Sequence, residues 1–270
     1  MSTAPTPGRD DRDEGPRVRR TPAPPAEPEL VGRAPSDQAG DEGRVPRWGA
    51  GVAVGGFLVG LILAGWAIAL WDAASGVNRR SYGADVVRLI GLWIGMLGAV
   101  VVFTRVRGRR PLAATLGLRF KPSDVPVGVG CGLASQFLLV PLLYLPLRAV
   151  NSHIYRDLGK PAESLTRRAH GPGFVVLSVL VIVGAPVVEE LFFRGLLQRS
   201  LAGWLGPGPA IGAAALGFGL AHGEAVQLLA LVAFGVVLGV LAQRSGRLGP
   251  GIVAHAAFNG ATIAVIALGR

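Results

Sequence analysis

Seven stretches of this chain are apolar enough, over enough residues, to cross a bilayer as helices. A transmembrane helix needs about 20 mostly apolar residues. Runs of that kind fall at 48–71, 86–104, 125–147, 172–190, 209–222, 225–243 and 249–268. The composition agrees: 50% of the residues are hydrophobic, 16% are charged, 40 are glycine, and the mean hydropathy is +0.47, far from a soluble domain of this length. The expected fold is all-α, a polytopic transmembrane bundle of about seven helices, with six to eight as the range. The width of that range comes from the short, glycine-rich fifth run and from 190–206, which reads as an interfacial or tilted extension of the fourth.

Charge divides the chain in two. Residues 1–47 hold 8 arginines and 9 acids, so the surplus of basic side chains belongs to residues 48–270. A tail with nine prolines and few large apolar residues buries too little surface to offset its chain entropy. It is expected to be a disordered cytoplasmic extension of a membrane domain at 48–270. Because the tail is nearly neutral, no nucleic-acid partner is expected. The first apolar run starts at Trp48 and is too long for a cleavable signal, so it reads as an anchor. Basic residues in alternate loops number 18 against 8, which places the N-terminus in the cytoplasm of a multi-pass cell-membrane protein. Cys131 is the only cysteine, so disulfides within the chain and cysteine-rich zinc sites are excluded.

Glycines spaced to let helices approach occur at Gly51/Gly55, Gly56/Gly60, Gly91/Gly95, Gly128/Gly132 and Gly235/Gly239, and are read as packing. The informative residues are the polar ones embedded in the last four runs: Glu189, Glu190, Arg194, His222, Glu224, Gln227, His255 and Asn259. Ionisable groups inside a membrane are rare and suggest a functional site. His153 and His170 lie in a polar loop and are expected at the surface, and Glu224 is expected in a short loop.

Helical spacing sorts this cluster. Glu190 and Arg194 are four apart and share a face, where an ion pair makes both tolerable. Glu189 lies about 100° from Glu190 and about 140° from Arg194, which turns it away from that pair. Phe218 stands one turn before His222 and can pack beneath its imidazole, while His255 and Asn259 stand one turn apart on a single face. A carboxylate, two imidazoles and an amide in an apolar cavity suit hydrolysis. Glu189 is the expected general base for water, with His222 sharing the proton or orienting the water. His255 and Asn259 would donate to the developing oxyanion. Two histidines and a carboxylate, Glu189, His222 and His255, also make a zinc set with an open position, and spacing alone does not choose between a zinc ion and metal-free chemistry. No serine-hydrolase elbow, H-E-x-x-H, zinc-deaminase pattern, Walker loop or dinucleotide fingerprint occurs.

The three motifs "EELFFR", "FGLAH" and "HAAFN", in that order and in separate apolar runs, resemble the CPBP family, which unites type II CAAX prenyl endopeptidases with bacterial bacteriocin-processing and self-immunity proteins. The resemblance covers about residues 172–270. It implies a helical bundle, usually of about eight helices, with a cavity opening to the cytoplasm, and peptide-bond hydrolysis within the membrane. By it, Glu189, His222, His255 and Asn259 form the catalytic set, supported by Glu190, Arg194 and Phe218. The family is described both as metalloproteases and as metal-free enzymes. The expected activity is therefore that of an intramembrane endopeptidase acting on a membrane-associated peptide or protein. The rival class is a non-enzymatic immunity or partner-binding membrane protein, or a transporter using the same groups as a proton relay. Depth sets a condition on the enzyme. Counted along the spans, His222 falls at the far end of its run from Glu189 and His255, so their meeting requires that short helix to be tilted, broken or shifted.

Overall fold

The computed structural model describes residues 49–76, 81–107 and 111–268. The tail 1–47 and Trp48, where the sequence predicts disorder and the start of an anchor, lie outside the described residues. Among the described residues there are helices and no strands. They form α1 (Gly49–Ser75), α2 (Tyr82–Arg107), α3 (Leu112–Leu116), α4 (Asp124–Tyr144), α5 (Ile154–Arg167), α6 (Pro172–Leu205), α7 (Pro207–Ala221), α8 (Leu228–Ser245) and α9 (Gly249–Leu268). Six of these are long and apolar enough to cross a membrane, and α7 is a shorter apolar helix. All seven apolar runs are thus helical, with ends displaced by a few residues except at the C-terminal end of the fourth.

Two lengths matter for function. At 15 residues α7 is about 22 Å long, short of the ~30 Å hydrocarbon thickness. By contrast α6 does not end at 190. It runs unbroken through 34 residues, about 51 Å, and absorbs the segment that the sequence suggests as an interfacial extension.

Two helices contain wider, π-helical turns, at Ser135–Leu139 in α4 and at Leu180–Gly184 and Glu190–Gln198 in α6. Pro141 and Pro186 stand just after the first two, as expected where a residue without an N–H, whose ring clashes with the carbonyl four back, is admitted into a helix. No proline accounts for the third, which begins at Glu190.

Glycine lets the helices close on one another. A Cβ on Gly95 would lie 2.3 Å from the backbone of Gly60, and one on Gly56 would lie 2.2 Å from the side chain of Ala99, which locks α1 onto α2. Gly128 and Gly132 meet α9 in the same way, through Val253 and the Ala254 carbonyl. Gly51 and Gly55 do not: nothing lies within 4 Å of a Cβ at either, so this pair faces outward with the exposed Val54, Leu58 and Ile62. Helix α6 is central, touching α1, α2, α3, α7, α8 and α9, and its Phe192, Phe193 and Leu196 lie in one core with Met96, Phe218, Phe234 and Leu238.

The α1–α2 seam generates a prediction. Gly95→Ala forces the two backbones apart and lowers the stability of the purified protein by about 1–3 kcal/mol, read as a lower thermal midpoint in detergent. Gly98→Ala in the same helix, where a Cβ meets open space, leaves the midpoint unchanged or slightly raised.

Candidate active site

The polar residues of α6 meet the rest of the bundle along one stripe. Arg194 Nη1 donates to Glu190 Oε1 at 2.6 Å, and both side chains are buried, at 1% and 0% exposure. Arg194 also donates through Nη2 to the Gly235 carbonyl of α8 at 3.1 Å, and its guanidinium carbon lies 4.6 Å from the centre of the Phe218 ring of α7. One turn on, Gln198 Nε2 donates to the Gly239 carbonyl at 3.1 Å. The Gly235/Gly239 pair therefore does more than pack, since two side chains of α6 hydrogen-bond to its carbonyls. A Cβ on Gly239 would lie 2.8 Å from Gln198 Oε1. Sequence reasoning missed Gln198, although the four-residue spacing of Glu190, Arg194 and Gln198 was the available signal.

His255 enters this stripe from α9. Its Nδ1 lies 3.2 Å from Glu190 Oε1, and its Nε2 faces Glu189 Oε2 at 3.8 Å. A carboxylate paired with Arg194 accepts, so Nδ1 is the nitrogen that carries the proton and Nε2 is the one presented to Glu189. The Glu190–Arg194 pair expected from spacing is present, but Glu190 has a second duty that spacing did not reveal. The two adjacent glutamates grip opposite sides of one imidazole. Glu189 Oε2 and Glu190 Oε2 are buried and without a hydrogen-bond partner among the described residues, and the first of these belongs to a side chain that is still 15% exposed.

His222 is brought in by Phe218. It caps α7, and its Nδ1 lies 2.8 Å from the Phe218 carbonyl, one of the last carbonyls of a helix, which lack an intrahelical N–H donor. This fixes Nδ1 as the donor here too. The Phe218 ring packs 4.8 Å from His222 and 5.6 Å from His255, centre to centre. One phenyl group therefore spaces the two imidazoles and carries Arg194 on its face. The end of α7 thus packs against His255 through Phe218, and the offset expected from counting along the spans does not keep His222 from that neighbourhood. Gly223, at a φ of +69°, then turns the chain into residues 223–227, where Glu224 is exposed and Gln227 donates to the Leu158 carbonyl of α5 at 2.7 Å.

Asn259 has a structural bond that the sequence did not disclose. Its Nδ2 donates to the Val181 carbonyl at 2.9 Å. Val181 lies in the π-helical turn of α6, where a carbonyl bonds to the N–H five residues on, and for Val181 that residue is Pro186, which has none. Asn259 supplies the missing donor and retains one N–H of its amide. His153 and His170 are exposed, as expected.

Both imidazoles anchor Nδ1 on an oxygen and leave Nε2 open, the orientation that metal-binding histidines adopt. Among the described residues, however, no group of three His, Cys, Asp or Glu side chains is gathered closely enough to hold a metal ion. The donors suit zinc in kind but are not assembled for it.

The buried pair yields a stability prediction. Arg194→Met removes the partner of a fully buried Glu190 and a donor to α8, and should cost about 3–5 kcal/mol, measured as a drop in thermal midpoint.

Comparison with known proteins adds a family. No curated protein and no solved structure matches the chain. Residues 171–261 match the family model described as type II CAAX prenyl endopeptidase, Rce1-like, a segment that opens at the start of α6 and closes within α9 and so includes every residue of the cluster. Over that segment, about a third of the chain, the protein is similar to the Rce1-like type II CAAX prenyl endopeptidases, which supports reading this multi-helix membrane chain as an intramembrane protease of the CPBP family.

Proposed function

We propose that this protein is a multi-pass cell-membrane endopeptidase, with its N-terminus in the cytoplasm, that hydrolyses a peptide bond of a membrane-associated protein or peptide by glutamate- and histidine-activated water. The observation that carries the reading is the Glu189 carboxylate: a buried oxygen with no hydrogen-bond partner among the described residues, 3.8 Å from the open nitrogen of an imidazole whose other nitrogen is anchored on Glu190. An unbonded buried carboxylate oxygen is costly for a fold and useful for a base.

In this mechanism the water oxygen attacks the scissile carbonyl carbon while its proton passes to Glu189. The open nitrogen of His222 orients that water. As the C–N bond breaks, Glu189 returns the proton to the leaving amine. The carbonyl oxygen becomes an oxyanion, and the remaining N–H of Asn259 is a donor for it. His255 joins as a second donor only as the imidazolium, because its neutral form, with Nδ1 committed to Glu190, presents a lone pair at Nε2. Glu190 and Arg194 hold His255 in that orientation, and the Phe218 ring sets its distance from His222. If zinc were bound, Glu189, His222 and His255 would be the residues to hold it, and the ion would supply activation of water.

Two measurements test the reading. With a membrane-tethered reporter peptide and purified protein in liposomes, Glu189→Gln and His222→Ala should each lower the cleavage rate by about 10²–10⁴-fold, with the thermal midpoint of Glu189→Gln preserved. Equal activity in all three proteins would remove the enzyme assignment. Protein freed of metal by chelation and verified by elemental analysis should cleave at the full rate. Loss of activity on chelation, restored by Zn²⁺, would instead make the three donors a metal site.

A further inference from the structure

A second cleft lies at the end of the bundle where α4 begins, α8 ends and α9 begins. Its volume is about 250 Å³, below the ~300–1,000 Å³ of sites that enclose a whole drug-sized ligand. Its lining is apolar at Val127 of α4 and Leu241 of α8 and polar at Ser123, Arg244 and Arg247. Asp124 and Ser245 are terminal residues of candidate spans, so the cleft sits where hydrocarbon gives way to headgroups. By the loop charge count this is also the end expected to face the cytoplasm.

The charges of the cleft are not equivalent. Arg247 Nε donates to both carboxylate oxygens of Asp124, at 3.0 and 3.1 Å, and Nη1 donates to the Ser245 carbonyl at 3.3 Å. Asp124 is 1% exposed and also accepts the Lys121 backbone N–H at 2.8 Å, so its charge is fully matched. Arg244 is different: it is exposed and takes part in none of the ion pairs among the described residues. The cleft thus combines one guanidinium outside those ion pairs, the Ser123 hydroxyl and an apolar lining in which Val127 is exposed.

We propose that this cleft binds the headgroup phosphate of an anionic phospholipid, with Arg244 and the Ser123 hydroxyl donating to the phosphate oxygens and an acyl chain lying over Val127 and Leu241. Planar guanidinium donors match phosphate geometry, and basic clefts between membrane helices favour anionic headgroups. A free phosphate would leave the apolar lining uncovered, and a zwitterionic headgroup would bring an ammonium beside Arg244. The occupant would also grip the first turn of α9: Pro250 lines the cleft, and a Cβ on the next residue, Gly251, would lie 3.1 Å from Glu190 Oε2. The site stands independently of the peptidase reading.

The test uses the full chain in detergent, followed by native mass spectrometry and thermal melting, with phosphatidylglycerol, phosphatidylcholine or inorganic phosphate added. Wild type should retain phosphatidylglycerol and melt higher with it than with either of the others. Arg244→Gln, which removes no bond of the described fold, should weaken phosphatidylglycerol retention about fivefold, and Arg244→Lys should keep part of it. Arg156→Gln, on α5 beyond the far end of α4, should bind as wild type does. The proposal is overturned if Arg244→Gln retains the lipid as well as wild type, if Arg156→Gln loses as much as Arg244→Gln, or if phosphate alone reproduces the rise in melting.

Discussion

A fully buried ion pair between Glu190 and Arg194 is the interaction on which the other contacts of the site are built. Removing two charges from water is expensive, and their mutual attraction offsets that cost only when the remaining hydrogen-bonding capacity is also used. Here it is used outward by Arg194 and by Oε1 of Glu190, while Glu190 Oε2 stays buried without a partner among the described residues. Arg194 reaches the Gly235 carbonyl of α8 and the face of Phe218 on α7, while Glu190 Oε1 accepts a hydrogen bond from His255 Nδ1 on α9. One pair thereby ties together α6, α7, α8 and α9. Small residues make the reach possible, because a side chain at Gly239 would strike Gln198 and one at Gly251 would crowd the Glu190 carboxylate.

That arrangement sets the chemistry of the residues around it. An acceptor-only oxygen behind each imidazole, the Glu190 carboxylate for His255 and the Phe218 carbonyl for His222, leaves both Nε2 atoms open. Glu189 is excluded from the stabilising pair and keeps a buried, unbonded oxygen next to His255. The adjacent glutamates differ in partner rather than in kind: each keeps one buried oxygen unbonded, but Glu190 is bound through its other oxygen to Arg194 and His255, whereas Glu189 has no such pair. The price of such unbonded oxygens is stability, which is the usual trade at sites that must react.

Local pattern carried much of this. The seven apolar runs are helices because their length and hydropathy allow little else, and the Glu190–Arg194 pair follows from four-residue spacing even though the backbone there is π-helical rather than the regular helix assumed for it. What local pattern does not encode is partnership across the chain. His255 lies 65 residues from Glu190, and no periodicity announces their contact. The bond from Asn259 to Val181 was recoverable in principle, since Pro186 guarantees an orphaned carbonyl upstream, but which side chain fills it depends on how α9 packs. Gly51 and Gly55 share the spacing of Gly56 and Gly60 yet lie on the opposite side of α1, facing outward, because spacing describes a helix and not its neighbour. The meeting of His222 with the cluster runs through Phe218 of the short α7, whose ring packs on both imidazoles, a contact between helices that counting along the spans does not foresee.

The division of labour between the two glutamates is most directly tested by melting Glu189→Gln and Glu190→Gln side by side with wild type in one detergent. Neutralising Glu189 relieves a buried oxygen that has no partner among the described residues, so its midpoint should equal or exceed that of wild type. Neutralising Glu190 strands a buried Arg194 and should lower the midpoint by several degrees. Equal destabilisation of the two variants, or a larger loss for Glu189→Gln, would contradict the account.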